Sequence, residues 1–394
     1  MIHFGHRRER DAVRYLDAGQ PGSASRSRRL LAAVAVAGAV AGAVLAAPAL
    51  ATPAAAAPGT ACPWLDRARQ VLDGLSGTSD PRAARLVPAL RRAIAGCGTR
   101  AARARPYFQR ADWLWDPIVA DPVLDPDSAG MVSDLASSTE YIANIGDFGV
   151  TLVGPEKITD STPRFAISPS QYGPDLDDVP IPEDTTIAPG SDGHLAVADP
   201  VSGKVFNFWI ARKDGDGWSA AGGAATDLAG DGRETSGGTS TGSNIARFAA
   251  VVRISEIERG LIPHALFFST DMAKAGECRY PAAKTDGSNM DGVANPIPEG
   301  ARIQLDPAVD VDALDATPAV KMIAKALQTY GAYVGDNGGA RIAFLFEYGP
   351  DSPVYQQAGL RGGFAPIDGI PWDKLRVLAA WNGTNDGGEC TGAQ

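Results

Sequence analysis

The stretch His194-Leu195-Ala196-Val197-Ala198-Asp199-Pro200-Val201-Ser202-Gly203-Lys204-Val205-Phe206-Asn207-Phe208-Trp209-Ile210-Ala211 sets the pattern for most of the chain. Two short apolar runs, His194 to Ala198 and Val205 to Ala211, are divided by aspartate, proline and glycine. Runs of this length, rich in β-branched and aromatic residues and punctuated by turn formers, read as β-strands. The rhythm recurs after Ala111 in Phe148 to Val153, Arg164 to Ile167, Arg247 to Ile254, His264 to Ser269, Arg302 to Leu305, Arg341 to Tyr348 and Leu375 to Trp381. It predicts a mainly β domain over 111–394, arranged as a two-sheet, jelly-roll-like β-sandwich. One helix interrupts it, with Thr317 as N-cap, Pro318 in the first turn, apolar Val320, Ile323, Ala324 and Leu327, and Gly331 as the stop. The Gly-, Ser- and Thr-rich run from Gly215 to Ser243 predicts a long loop or a pair of bulged strands, and loops of that length in compact domains are often functional.

Upstream, seven arginines between Arg7 and Arg29 precede a small-apolar run from Leu30 to Ala47 that closes on Ala49-Leu50-Ala51. This layout predicts a secretory signal peptide over residues 1–51, cleaved after Ala51 or, alternatively, after Ala57. It implies a secreted, extracellular protein exported through the general secretory route, with the twin-arginine route as the alternative reading of Arg28-Arg29. No later run is apolar over the roughly 18 residues a spanning helix needs, which predicts no transmembrane segment after processing.

The whole chain has a net charge of −10, and residues 52–394 alone carry −14. Such a surface lacks the basic footprint that neutralises phosphates, which argues against nucleic acid as a partner. Charge is unevenly distributed, however. Residues 62–110 are basic, with ten arginines against three aspartates, and predict an amphipathic helical hairpin over 52–110 that breaks at Gly77-Thr78-Ser79-Asp80-Pro81. The four cysteines, Cys62, Cys97, Cys278 and Cys390, read as two disulfides in an exported chain. Of the three possible pairings, Cys62 with Cys97 and Cys278 with Cys390 is favoured, because the first pair brackets the hairpin. None of the cysteines has the C-x-x-C spacing of a zinc site, so no metal is assigned. Calcium stays open as a cofactor, since Asp214-Gly215-Asp216-Gly217 and Asp306 to Asp315 resemble calcium loops without fitting the twelve-residue ligand pattern.

Serine-hydrolase, zinc-protease, Walker and dinucleotide signatures are absent from the sequence. Two histidines survive processing, His194 and His264, and His264 opens a strand where its ring can titrate. Asp227 is flanked by small residues that admit a bulky ligand, and Glu256 follows the strand ending at Ile254. Asp227, Glu256 and His264 are therefore the candidate catalytic residues for acid/base cleavage of a glycosidic bond. A lyase variant would use His264 or Tyr280 to take a proton beside a uronate, with Arg253 and Asn337 neutralising the carboxylate. Asp336-Asn337-Gly338-Gly339 has the residues of a tight hairpin turn, with a substrate-binding role for Asp336 and Asn337 as the other reading. Trp218 and the tryptophans at 113, 115, 209 and 372 could stack on sugar rings, although most tryptophans of a β-sandwich are core.

Several stretches belong together: Trp115-Asp116-Pro117-Ile118 with Pro122-Val123 and Ser128, Gly217-Trp218-Ser219-Ala220 to Asp227-Leu228, Arg253-Ile254-Ser255-Glu256-Ile257, Gly260 to Leu266, Ile297-Pro298-Glu299-Gly300-Ala301-Arg302, and Ala326-Leu327-Gln328-Thr329-Tyr330-Gly331 followed by Asp336-Asn337-Gly338. Together they resemble a family of secreted, β-rich bacterial proteins frequent in actinobacteria. The resemblance implies a secreted domain acting on extracellular polysaccharide. Where such proteins carry histidine after Tyr280, this chain has Pro281-Ala282-Ala283-Lys284, which puts a second catalytic histidine there in doubt. Sequence thus points to a carbohydrate-active protein, a glycoside hydrolase or polysaccharide lyase, with a non-catalytic glycan- or envelope-binding module as the alternative.

Overall fold

The computed structural model describes residues 105–380 and 391–392. The expected signal peptide, the basic hairpin as far as residue 104, and Cys62, Cys97 and Cys390 lie outside the described residues. The protein is mainly β, with several sheets and short helices.

Its strands run β1 (Tyr141–Asn144), β2 (Thr151–Val153), β3 (Arg164–Ile167), β4 (Leu176–Pro180), β5 (Leu195–Asp199), β6 (Lys204–Trp209), β7 (Arg212–Asp214), β8 (Gly217–Ser219), β9 (Gly222–Asp227), β10 (Leu266–Thr270) and β11 (Ala273–Cys278). They continue as β12 (Lys284–Thr285), β13 (Ile297–Glu299), β14 (Arg302–Leu305), β15 (Ala332–Asn337), β16 (Ile342–Leu345), β17 (Phe364–Pro366), β18 (Leu375–Val377) and β19 (Thr391–Gly392). The largest sheet has seven strands in the order β17-β1-β16-β10-β15-β14-β18, and the next has four in the order β2-β5-β6-β9.

Strand alternation builds the layers. Along β10, Leu266 and Phe268 join a core cluster with Val320, Ile323 and Leu327 of the helix Pro318–Thr329, whereas Phe267 faces the opposite way. That opposite face shares a second cluster with Leu152, Ala196, Ala198 and Val205 of the four-stranded sheet. Leu195, Val197, Phe206 and Phe208 then point outward from the smaller sheet into a third cluster, closed by β3, β4 and Trp218. Burying each such Leu or Phe side chain contributes about 1.5–3 kcal/mol before entropy is set against it.

The helix begins and ends where its caps dictate: Thr317 accepts the Val320 N–H, Pro318 needs no partner in the first turn, and Gly331 follows with positive φ. Two sequence expectations differ from what forms. The large sheet mixes parallel pairs (β1 with β16, β10 with β15) with antiparallel ones, unlike a jelly roll, because long connections through other strands, rather than hairpins, join the parallel partners. Residues 247–253 do not form a strand, and Ile254–Arg259 is a helix whose first turn carries Glu256. Ahead of Ala111, Tyr107 and Phe108 are buried against Phe248 and Trp115. Among the described residues no helix is long and apolar enough to cross a membrane. Cys278 is disulfide-bonded, to a partner outside the described residues.

Candidate functional site

The sequence-derived residues fall into three places. Glu256 and His264 are brought together in the core, 3% and 0% exposed, with His264 Nε2 3.2 Å from Glu256 Oε2 and Nδ1 2.8 Å from the Ala265 carbonyl. Trp115 packs edge-on against the His264 ring. Glu256, at the third position of the helix, also accepts the Arg253 N–H at 2.9 Å and so satisfies the N-cap backbone. Burial pushes the Glu256 carboxyl upward, but His264 and Arg253 together outweigh it and hold it below the ordinary range. Arg253 turns inward as well: its guanidinium lies 4.3 Å from the Tyr107 ring and 4.8 Å from the Phe248 ring, and donates to the Tyr107 hydroxyl. Trp218 is core, and so are Trp113, Trp115 and Trp372.

Asp227 and Tyr280 occupy a second place, an open cleft of about 780 Å³ at the end of β9. Its wall also carries Arg110, Lys204, Asp231 and Arg233. The Arg233 guanidinium stacks 5.0 Å from the Tyr280 ring while its Nε donates to the Pro281 carbonyl, which fixes a flat aromatic and cationic surface beside two carboxylates. Neither Glu256 nor His264 lines this cleft.

Asp336 and Asn337 lie in the third place, at the end of β15, and they do not form a hairpin turn. β15 and β16 flank β10 rather than pairing with one another, so the Gly338-Gly339 segment carries the chain across the end of β10. Register in the β10–β15 pair skips Gly335, since Phe268 faces Val334 and Ser269 faces Asp336. This bulge aims Asp336 at Arg247, whose Nη2 donates to Asp336 Oδ2 at 2.8 Å and to the Ser240 carbonyl at 2.9 Å. The Gly242 N–H donates to Asp336 Oδ1 at 2.9 Å. Asp286 and Glu299 complete the group, and one carboxylate oxygen from each of the three acids lies within 4.8 Å of the others. Behind them Glu234, fully buried, accepts the N–H and hydroxyl of Ser240 at 2.7 and 2.6 Å.

Electrostatics separate this group from the rest of the acidic surface. Burial, followed by Asp286 and Asp336, pushes the Glu299 carboxyl well above its ordinary value. Burial raises Asp336 to about 6, with Arg247 opposing and Asp286 adding, and raises Glu234 to about 7 against the hydrogen bonds from Ser240. Carboxylates displaced this far mark candidate functional positions. Sequence reasoning missed Glu234, Arg247, Asp286 and Glu299. Part of the signal was available in the loop ending at Ser243, which contributes Ser240 and Gly242. The two Asp-rich stretches with calcium-loop character serve locally: Asp214 to Gly217 is the β7–β8 turn, where Asp214 accepts the Ser219 hydroxyl, and Asp310 caps a 3₁₀ turn.

Compared with known proteins, the chain matches no family model, and searches of curated proteins and solved structures give no match.

Proposed function

We propose that this is a secreted carbohydrate-active protein that holds an extracellular or cell-envelope polysaccharide in the cleft around Asp227 and Tyr280 and cleaves a glycosidic bond there. One observation carries the reading: an open polar cleft in which the stacked Arg233–Tyr280 surface stands beside the carboxylates of Asp227 and Asp231. A sugar ring offers an apolar face to such a surface and hydroxyls to the carboxylates. Asp227 and Asp231 are then the acid/base pair that glycosidic cleavage requires, in place of a pair with Glu256. We read the two larger sheets as the stacked layers of a sandwich-like frame whose β9 edge carries the cleft. Export follows from the signal-peptide reading of residues 1–51.

The test is incubation of the full processed chain with neutral and acidic extracellular polysaccharides, following reducing ends and ultraviolet absorbance. New reducing ends without absorbance support hydrolysis, and absorbance from an unsaturated product supports the lyase variant. Asp227→Asn should abolish product formation while leaving glycan binding within a few-fold. A binding-only reading is favoured by the enclosure of Glu256 and His264 in the core. Its signature is retention on immobilised glycan, weakened by Tyr280→Ala, with no product from the unaltered protein. Absence of both retention and product across the panel would sink both readings.

A further inference from the structure

The carboxylates of Asp286, Glu299 and Asp336 converge outside the cleft. Among the described residues Arg247 is the cation hydrogen-bonded to the group, and its Nη2 is shared between Asp336 and the Ser240 carbonyl. Glu299 makes the arrangement more than an acidic cluster. Its side chain is 0% exposed, and neither carboxylate oxygen makes a hydrogen bond of good geometry, the side chains of Thr285 and Asp286 being the polar groups that approach it. Asn337, whose N–H donates to Asp286 Oδ1 at 3.2 Å, likewise has its side-chain Oδ1 buried without a partner. Nearly all native buried acceptors are satisfied by a donor, a water or an ion. An ionised carboxylate buried without any of these costs several kcal/mol. A donor, a bound water or a cation must therefore complete the group, and three converging carboxylates favour the cation.

We infer that Asp286, Glu299 and Asp336 form a binding site for a calcium ion. The ligand atoms are all hard oxygens, with no histidine or cysteine among them, which selects calcium or magnesium over zinc, copper or iron. Three carboxylates drawn from separate segments suit the larger and more tolerant coordination shell of calcium. Magnesium holds most of its waters and demands a stricter octahedron. The remaining lone pairs are available, because Asp286 and Asp336 each accept through only part of their capacity.

The site ties β13 through Glu299 and β15 through Asp336 to the segment after β12 through Asp286. The Gly242 backbone is held close, since a Cβ at that position would collide with the carboxylate oxygens of both Asp286 and Asp336. Segments that flank the site, 233–238 and Tyr280, also wall the cleft. The cation assignment nevertheless stands apart from the glycan reading and is tested without any sugar.

The full processed chain, stripped with chelator, is titrated with calcium chloride and, separately, magnesium chloride by calorimetry, and its melting temperature is read in each state. The expected result is binding of about one calcium per chain, at least tenfold tighter than magnesium, and a melting temperature several degrees higher with calcium. Glu299→Gln keeps the shape and removes the buried charge, so it should fold, bind calcium at least 100-fold more weakly and melt at the same temperature with or without it. Should that variant fail to fold, Asp286→Asn at the half-buried rim serves in its place with the same expectation. No calcium binding by the unaltered chain, tighter binding of magnesium, or undiminished calcium binding by the folded variants would each overturn the assignment.

Discussion

Gly335 lies against Phe267 so closely that a Cβ at position 335 would overlap the Phe267 ring. The contact explains why the β10–β15 register slips at this point. Gly335 is the extra residue of the bulge, its carbonyl accepts the Ser243 hydroxyl at 2.6 Å, and Asp336 follows in the one orientation that meets Arg247. Gly335→Ala should therefore cost about 1–3 kcal/mol, the usual range for overpacking a closed core. Chemical denaturation checks the loss, and an unchanged midpoint would mean that the ring can move aside freely.

Arg247 and Asp336 form an ion pair in which the arginine side chain is 2% exposed. In chelator-treated protein, replacing Arg247 by methionine leaves the buried Asp336 carboxylate without its ion-pair partner, and removing one partner of a buried pair typically costs about 3–5 kcal/mol. The double change Arg247→Met with Asp336→Asn should recover part of that loss. A double-mutant cycle from denaturant unfolding measures the recovery.

Stability should depend on pH in two opposite ways. Glu234 and Asp336 have folded-state pKa values raised to about 7 and about 6, so the native state holds protons that the unfolded chain releases. Their contribution is fully present below the ordinary carboxyl range and disappears as pH rises through about 6 to 7. For Glu234 alone the full excursion corresponds to about 3 kcal/mol. Chelator-treated protein should accordingly lose stability between about pH 4.5 and 7.5. Denaturation midpoints across that range check the direction, and Glu234→Gln should flatten the curve.

Glu256 behaves in the contrary sense. Its folded pKa is depressed, so the stability it contributes is present above the ordinary glutamate range and is lost as pH falls through the folded value. Glu256→Gln keeps the capping geometry but removes the charge facing His264, and should cost about 1–3 kcal/mol at neutral pH. It should also weaken the acid dependence below about pH 4. A steep acid transition retained in the variant would place the responsible carboxylate elsewhere.

Local rules made much of the fold readable. β3 and β14 occur where the short apolar runs place them, and Thr317, Pro318 and Gly331 bound the helix as their chemistry requires. The run 247–254 forms no strand because an apolar pattern does not distinguish a strand from irregular core chain, and at its end the Arg253 N–H is taken by Glu256, which starts a helix at Ile254. Asn337-Gly338 signals a hairpin only if the flanking strands pair, and that depends on β10 inserting between them, a long-range event. The carboxylate group was hidden for the same reason. Asp286, Glu299 and Asp336 come from separate segments, and nothing in the spacing of an acidic chain marks these three among its 46 acidic residues.

Crystals grown in calcium and measured at a long X-ray wavelength offer the most direct examination of the site at the end of β15. The account predicts an anomalous peak between Asp286, Glu299 and Asp336, with oxygens at roughly 2.3–2.6 Å from it. A map without that peak, in which Glu299 instead hydrogen-bonds to a neighbouring carboxyl or to water, would contradict it.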